Sequence, residues 1–186
     1  MEKPSDPRRL DIRRLAERDA AIGGELPLQD LPRLREEAPT ADAATPVAWQ
    51  AQAGLTARPG GAARPTLRLQ VHATVPLACQ RCLQPVEVTL AVDRAFRFEA
   101  DESAAAAEDE LSDDVDVLVE SRRFDLLELL EDELVMALPV VPRHDTCPAP
   151  VTLSSADPGF EQALHERENP FAALAKLKAG GNGTGL

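Results

Sequence analysis

The spacing of apolar positions changes along the chain, and the changes divide it into elements. Leu28, Leu31 and Leu34 recur at three-residue steps, a helical spacing, and Pro32 fits the first turn of such a helix, where no amide donor is needed. From Val47 the period falls to two. Val47, Trp49, Ala51 and Ala53 alternate with less apolar neighbours, and beyond the ARPGGAARP turn Leu67, Leu69, Val71, Ala73, Val75, Leu77 and Cys79 do the same. The CQRC segment at 79–82 turns the chain again. Val86, Val88, Leu90 and Val92 alternate beyond it and continue through Phe96 and Phe98, and Val115, Val117 and Val119 form a short fourth run. Together these runs predict an antiparallel meander of four or more strands.

The stretch FDLLELLEDELVMALPVVPRHDTC, residues 124–147, returns to the helical period. Asp125 can cap the helix with Glu128 answering three residues later, and Phe124 can staple onto Leu129. Leu126, Leu127, Leu130, Leu134 and Leu138 form the apolar stripe, while Glu128, Glu131, Asp132 and Glu133 read as a wet face. Pro139 stops the helix, and an extended Pro139-Val140-Val141-Pro142 segment leads to His144 and Cys147. Such a stripe needs a sheet to cover. The fold class expected is α+β: the sheet, this packed amphipathic helix and short helices near both ends, the last running from an Asn169 cap and Pro170 to Lys178. Residues 10–178 are expected as a single domain between flexible tails at 1–9 and 179–186, and Leu10–Ala20 reads equally as a helix or an edge segment.

Charge refines this picture. The 186-residue chain carries a net charge of −12, yet residues 99–136 hold fifteen Asp or Glu against Arg122 and Arg123. Acidity is therefore one region's property, centred on an acidic loop expected at about 100–114, and the rest of the chain is free to offer a local basic face to RNA. Aromatics make up 3% and Tyr is absent, so the core must be Leu, Val and Ala. Three cysteines do not make a disulfide framework. With no basic-then-apolar leader and no apolar run of about eighteen residues, a cytoplasmic protein without a membrane partner is expected.

Candidate chemistry centres on the cysteines. Cys79 and Cys82 flank a strand end, and His144 and Cys147 supply an imidazole and a thiolate at H-x-x-C spacing, so the four donors of a Cys3His zinc tetrahedron are present. Two other readings stand beside it: small half-buried cysteines of a turn with an exposed loop histidine, and a redox pair, although redox C-x-x-C motifs usually open a helix rather than follow a strand. Arg81, Arg94 and Arg97 are candidates for contacting RNA phosphates or a partner, or else for pairing with the acidic segment. No catalytic constellation, phosphate loop or nucleophile elbow occurs, so neither an enzyme nor a small-molecule substrate is expected.

Three segments together, CQRCLQPV at 79–86, EDELVMALPVVPRHDTC at 131–147 and NPFAALAKLK at 169–178, resemble the YceD family, the large ribosomal RNA subunit accumulation proteins of bacteria. The resemblance implies a cytosolic, non-catalytic protein needed for the synthesis, processing or stability of 23S ribosomal RNA. Its implied partners are 23S rRNA or a pre-50S particle, or a basic ribosomal protein held by the acidic segment. The chain departs from members with a longer cysteine-rich segment after the Leu-Pro motif, having only Cys147 there. The alternative function is a small zinc-binding structural adaptor without an RNA role.

Overall fold

The computed structural model describes residues 6–58, 60–111 and 115–148, together with Ser155, Asp157, Gly159 and Phe160. Residues 1–148 make one compact unit and 149–186 a second. Everything below concerns the first; the helix expected at Asn169–Lys178 and the tail at 179–186 lie outside the described residues. The fold is α+β, built on a five-stranded, mostly antiparallel sheet. β1 (Ala21–Pro27), β2 (Pro46–Thr56), β3 (Arg64–Ala78) and β4 (Pro85–Glu99) lie side by side in chain order, each antiparallel to the next, and β5 (Asp116–Val119) is added parallel to β4.

The long β3–β4 hairpin is the spine. Its alternation is nearly unbroken in β3, where Leu67, Leu69, Val71, Ala73, Val75 and Leu77 all point into the core and Arg68, His72 and Thr74 stand on the open face. β1 was not readable as a strand, because among its residues only Leu26 is buried and two glycines interrupt the pattern. Gly23 is required there: a Cβ would lie 2.8 Å from the Trp49 carbonyl oxygen of the neighbouring strand. Before it, α1 (Ile12–Glu17) is capped by Asp11, and Leu10 exchanges backbone hydrogen bonds with Phe124. The segment left open as helix or edge is thus a helix with a bridging residue in front.

The acidic stretch contains a helix, α3 (Glu102–Asp109), where a loop was expected. The connection between two parallel neighbours must cross over, and a helix is the usual way to do so. Asp101 caps α3 by accepting from the Ala104 amide, and four successive alanines favour the helical state.

α4 (Leu126–Met136) starts as its sequence predicts, with Asp125 accepting from the amides of Leu127 and Glu128. Phe124 meets Phe98 edge-on at 5.3 Å between ring centroids. Leu126, Leu127, Leu130 and Leu134 join one core with the sheet residues and with Leu28, Leu31 and Leu34; Leu34 belongs to α2 (Pro32–Glu37). Burying each of those leucines contributes about 1.5–3 kcal/mol. The wet face is narrower than expected. Glu128 is exposed, but Glu131 and Glu133 are buried, because α2 covers one flank of α4 and β4 the other.

Candidate metal centre

β3 ends in Cys79, whose side chain is fully buried, and the next five residues make a tight knuckle. The Leu83 amide donates to the Cys79 carbonyl at 2.8 Å, and the Cys79 amide donates to the Gln84 carbonyl at 3.0 Å. Leu83 itself takes φ 60°. A branched aliphatic residue holds that left-handed conformation only where its surroundings fix it.

The segment after α4 returns to this knuckle and is fastened to it at several points. The Gln80 amide donates to the Pro142 carbonyl at 2.8 Å, and the Arg81 guanidinium donates to the carbonyl oxygens of His144 at 2.5 Å and Asp145 at 3.4 Å. Where an extended run was expected, the returning arm bends at Val140 and Val141 between Pro139 and Pro142 before it reaches the knuckle. The result brings Cys79, Cys82, His144 and Cys147 together, with one donor atom from each within 4.8 Å of all the others. All three thiols are free of disulfides.

The electrostatics of the group suit a cation. Burial pushes the Cys79 thiol up, but backbone amide donors from Arg81, Cys82 and His144 outweigh it and hold Cys79 down at about 5. Cys147 moves the other way: burial and hydrogen bonds with Cys82 and Cys79 push it up to about 11, against the opposing charge of Arg81. The histidine tautomer follows from its contacts. Nε2 lies 3.0 Å from the Pro85 carbonyl oxygen, which can only accept, so Nε2 carries the proton. Nδ1 is left with its lone pair facing Cys82 Sγ at 3.5 Å. A carbonyl holding one ring nitrogen while the other faces sulfur is the arrangement that orients ligating histidines. The residues therefore form a Cys3His group that could hold a metal ion.

The candidate arginines are dispersed. Arg81 is the clasp between knuckle and arm just described. Arg94 is paired with Asp116 of β5 and approaches Glu133 at 3.6 Å, and Arg97 donates to Glu108 of α3 at 2.9 Å. The alternative in which these side chains pair with the acidic region describes Arg94 and Arg97. Sequence reasoning missed Arg58 and Arg64, which stand beside Arg97 in the same ion-pair network. Their signal was the basic content of the Gly/Pro turn, visible only once that turn is placed next to the end of β4.

A small α+β protein whose sheet ends in a Cys3His knuckle, closed by an arm from the packed helix, is the class that fold and site define. The chain belongs to the YceD family: the model of Large ribosomal RNA subunit accumulation protein YceD matches residues 67–178, a span holding the knuckle, α4 and the arm. A protein of Haemophilus influenzae named Large ribosomal RNA subunit accumulation protein YceD is 34% identical over 110 residues. That alignment covers 59% of this chain and 63% of the relative. No solved structure matches the chain.

Proposed function

We propose that this protein is a non-enzymatic, cytoplasmic factor for accumulation of large-subunit ribosomal RNA, supporting the synthesis, processing or stability of 23S rRNA by binding the RNA or a ribosomal protein on it. Membership of the YceD family across 67–178 carries this reading. The exposed acidic side chains of α3, Glu102 and Asp109, with Glu110 beyond it, are suited to a basic ribosomal protein. The test is sucrose-gradient sedimentation of a lysate with and without ribonuclease. Co-migration with pre-50S particles that ribonuclease abolishes is the expected outcome, and a protein that stays at the top of the gradient in both lanes overturns the reading.

Within this role Cys79, Cys82, His144 and Cys147 hold a structural zinc ion. Soft thiolates plus one imidazole suit zinc, and four protein donors leave no open position for catalysis. The ion would fasten the 139–148 arm to the end of the β3–β4 hairpin. Purified protein should contain one zinc per chain. Chelation should cost about 3–4 kcal/mol, the linkage expected when free metal exceeds its dissociation constant a hundred- to a thousandfold. That loss corresponds to about 10 °C in Tm. An unchanged Tm in excess chelator would remove zinc from the account.

A further inference from the structure

The hairpin end opposite the cysteines gathers three guanidiniums. Arg58 follows β2, Arg64 opens β3 and Arg97 lies near the end of β4, where Thr66 pairs with it across the hairpin. Two carboxylates meet them. Glu99, itself buried, takes Arg64 Nη1 at 2.6 Å and Arg58 Nη1 at 3.3 Å. Glu108 of α3 places a single oxygen between two guanidiniums, 2.8 Å from Arg64 Nη1 and 2.9 Å from Arg97 Nη1.

The two carboxylates are held differently. Glu99 belongs to β4, and its backbone carbonyl also accepts from the Glu120 amide at 2.7 Å, so it cannot leave without breaking the sheet edge. Glu108 belongs to a helix that buries one residue, Ala105. Among the described residues, α3 is otherwise tied to the sheet by a long contact of 3.4 Å from the Val117 amide to Asp109 and by the ion pairs of Glu108. With so small an apolar seat, the ion pairs of Glu108 are a large part of what holds α3 against the sheet. If Glu108 moved away, three guanidiniums would face one carboxylate at a partly exposed site.

We propose that Arg58, Arg64 and Arg97 form a binding site for an RNA phosphodiester backbone, and that Glu108 is the internal occupant an RNA phosphate displaces. The proposal rests on the function inferred above and makes its RNA contact direct. One oxygen shared between two guanidiniums is the contact a non-bridging phosphate oxygen makes, and arginine forks fit phosphate in two-bond geometry. Guanidiniums cannot lose their charge, so the site stays cationic once opened. α3 then acts as a brake: unselected polyanions must compete with an attached carboxylate, whereas an RNA bound elsewhere on the particle competes at high local concentration.

The experiment is fluorescence anisotropy of the purified full-length chain against labelled single-stranded RNA of mixed sequence, over a salt series, with polyglutamate run in parallel. Glu108→Gln should tighten RNA binding about tenfold, the scale of the two ion pairs it removes. Arg97→Gln should weaken it for all sequences and reduce the salt slope by about 0.7, as for one phosphate contact on a single strand. Arg58→Gln, at an exposed position whose partner Glu99 keeps Arg64, should act likewise, with Tm checking that each variant is folded. Asp93→Asn removes the same charge from the ion pair with Arg68 on the open sheet face and should leave affinity nearly unchanged. The proposal is overturned if Glu108→Gln behaves as wild type or no differently from Asp93→Asn. It is also overturned if the arginine variants lose polyglutamate but not RNA, which would make this an acidic-peptide site. Either result beside ribonuclease-sensitive co-migration with pre-50S particles leaves the functional reading standing; absence of co-migration removes that reading by itself.

Discussion

At the start of α2 the backbone needs an acceptor, and the residue that supplies it sits on another helix. Leu31, at the N-cap position, makes no side-chain cap, and the carboxylate of Glu131 instead accepts from the amides of Arg33 at 2.7 Å and Leu34 at 3.2 Å while also taking Arg33 Nε at 3.2 Å. Glu131→Ala should therefore cost about 2 kcal/mol, a lost cap plus a lost charged hydrogen bond at a buried site. In a chain of this size that lowers Tm by about 4–8 °C in a melting experiment. Glu133 presents the opposite case. Burial raises its pKa, Arg94 opposes that, and Asp116 and Asp132 add to it. A carboxyl group raised in the folded state contributes stability that is complete below its unfolded value near 4.5 and is lost as pH rises through the folded value. Glu133→Gln should raise Tm at pH 7, and the gain should shrink as the pH is brought below about 4.5; a gain of equal size at both pH values would contradict the burial argument. Neither role was legible in the sequence. A helical wheel places Glu131 and Glu133 at opposite borders of the leucine stripe, and only the positions of α2 and β4 show that both borders are covered while Glu128 stays wet.

Among the elements, those with strong local signals were readable and those fixed by topology were not. β2, β3 and β4 carry period-two burial, and α4 carries its cap and stripe, so their identity is local. α3 exists because β5 lies parallel to β4, a relation no local window contains, although Asp101 followed by the alanine run was a signal available for it. β1 had no such signal, since Gly23 answers to the neighbouring backbone and only Leu26 is buried. Two substitutions test that cause. Gly23→Ala would press a methyl group against the Trp49 carbonyl and should destabilise the protein by about 1–3 kcal/mol. At Gly24 the nearest atoms to an added Cβ are those of the Trp49 ring, at 3.9 and 4.0 Å. Gly24→Ala should be neutral or stabilise by up to about 1 kcal/mol through the unfolded chain. Equal losses at both positions in a denaturant titration would show that β1 merely resists bulk, with no specific close approach.

Across the whole molecule, β3 and β4 separate two sites by their own length. Each strand has 15 residues, so the cysteine group and the arginine group lie about 45 Å apart along the hairpin. The cysteine group was legible because its donors come in two short motifs whose spacing survives any fold. The arginine group was only partly legible: Arg97 stood out on an alternating strand, while Arg58 and Arg64 needed the hairpin's register to bring them to it. Distance predicts how the two ends combine. Cys147→Ser strikes the knuckle and its arm, and Arg97→Gln strikes the ion pairs with α3; no side chain belongs to both networks. Their stability losses should add in the double variant to within about 0.3–0.5 kcal/mol, as for remote sites without shared partners. Function should divide in the same way, with Cys147→Ser lowering bound metal but sparing the salt dependence of RNA binding, and Arg97→Gln doing the reverse. A coupling energy well above that margin, measured by denaturant unfolding of the four proteins of the cycle, would mean that the hairpin transmits strain from the cysteine knuckle to α3, and the metal would then regulate the arginine site rather than only fasten the arm.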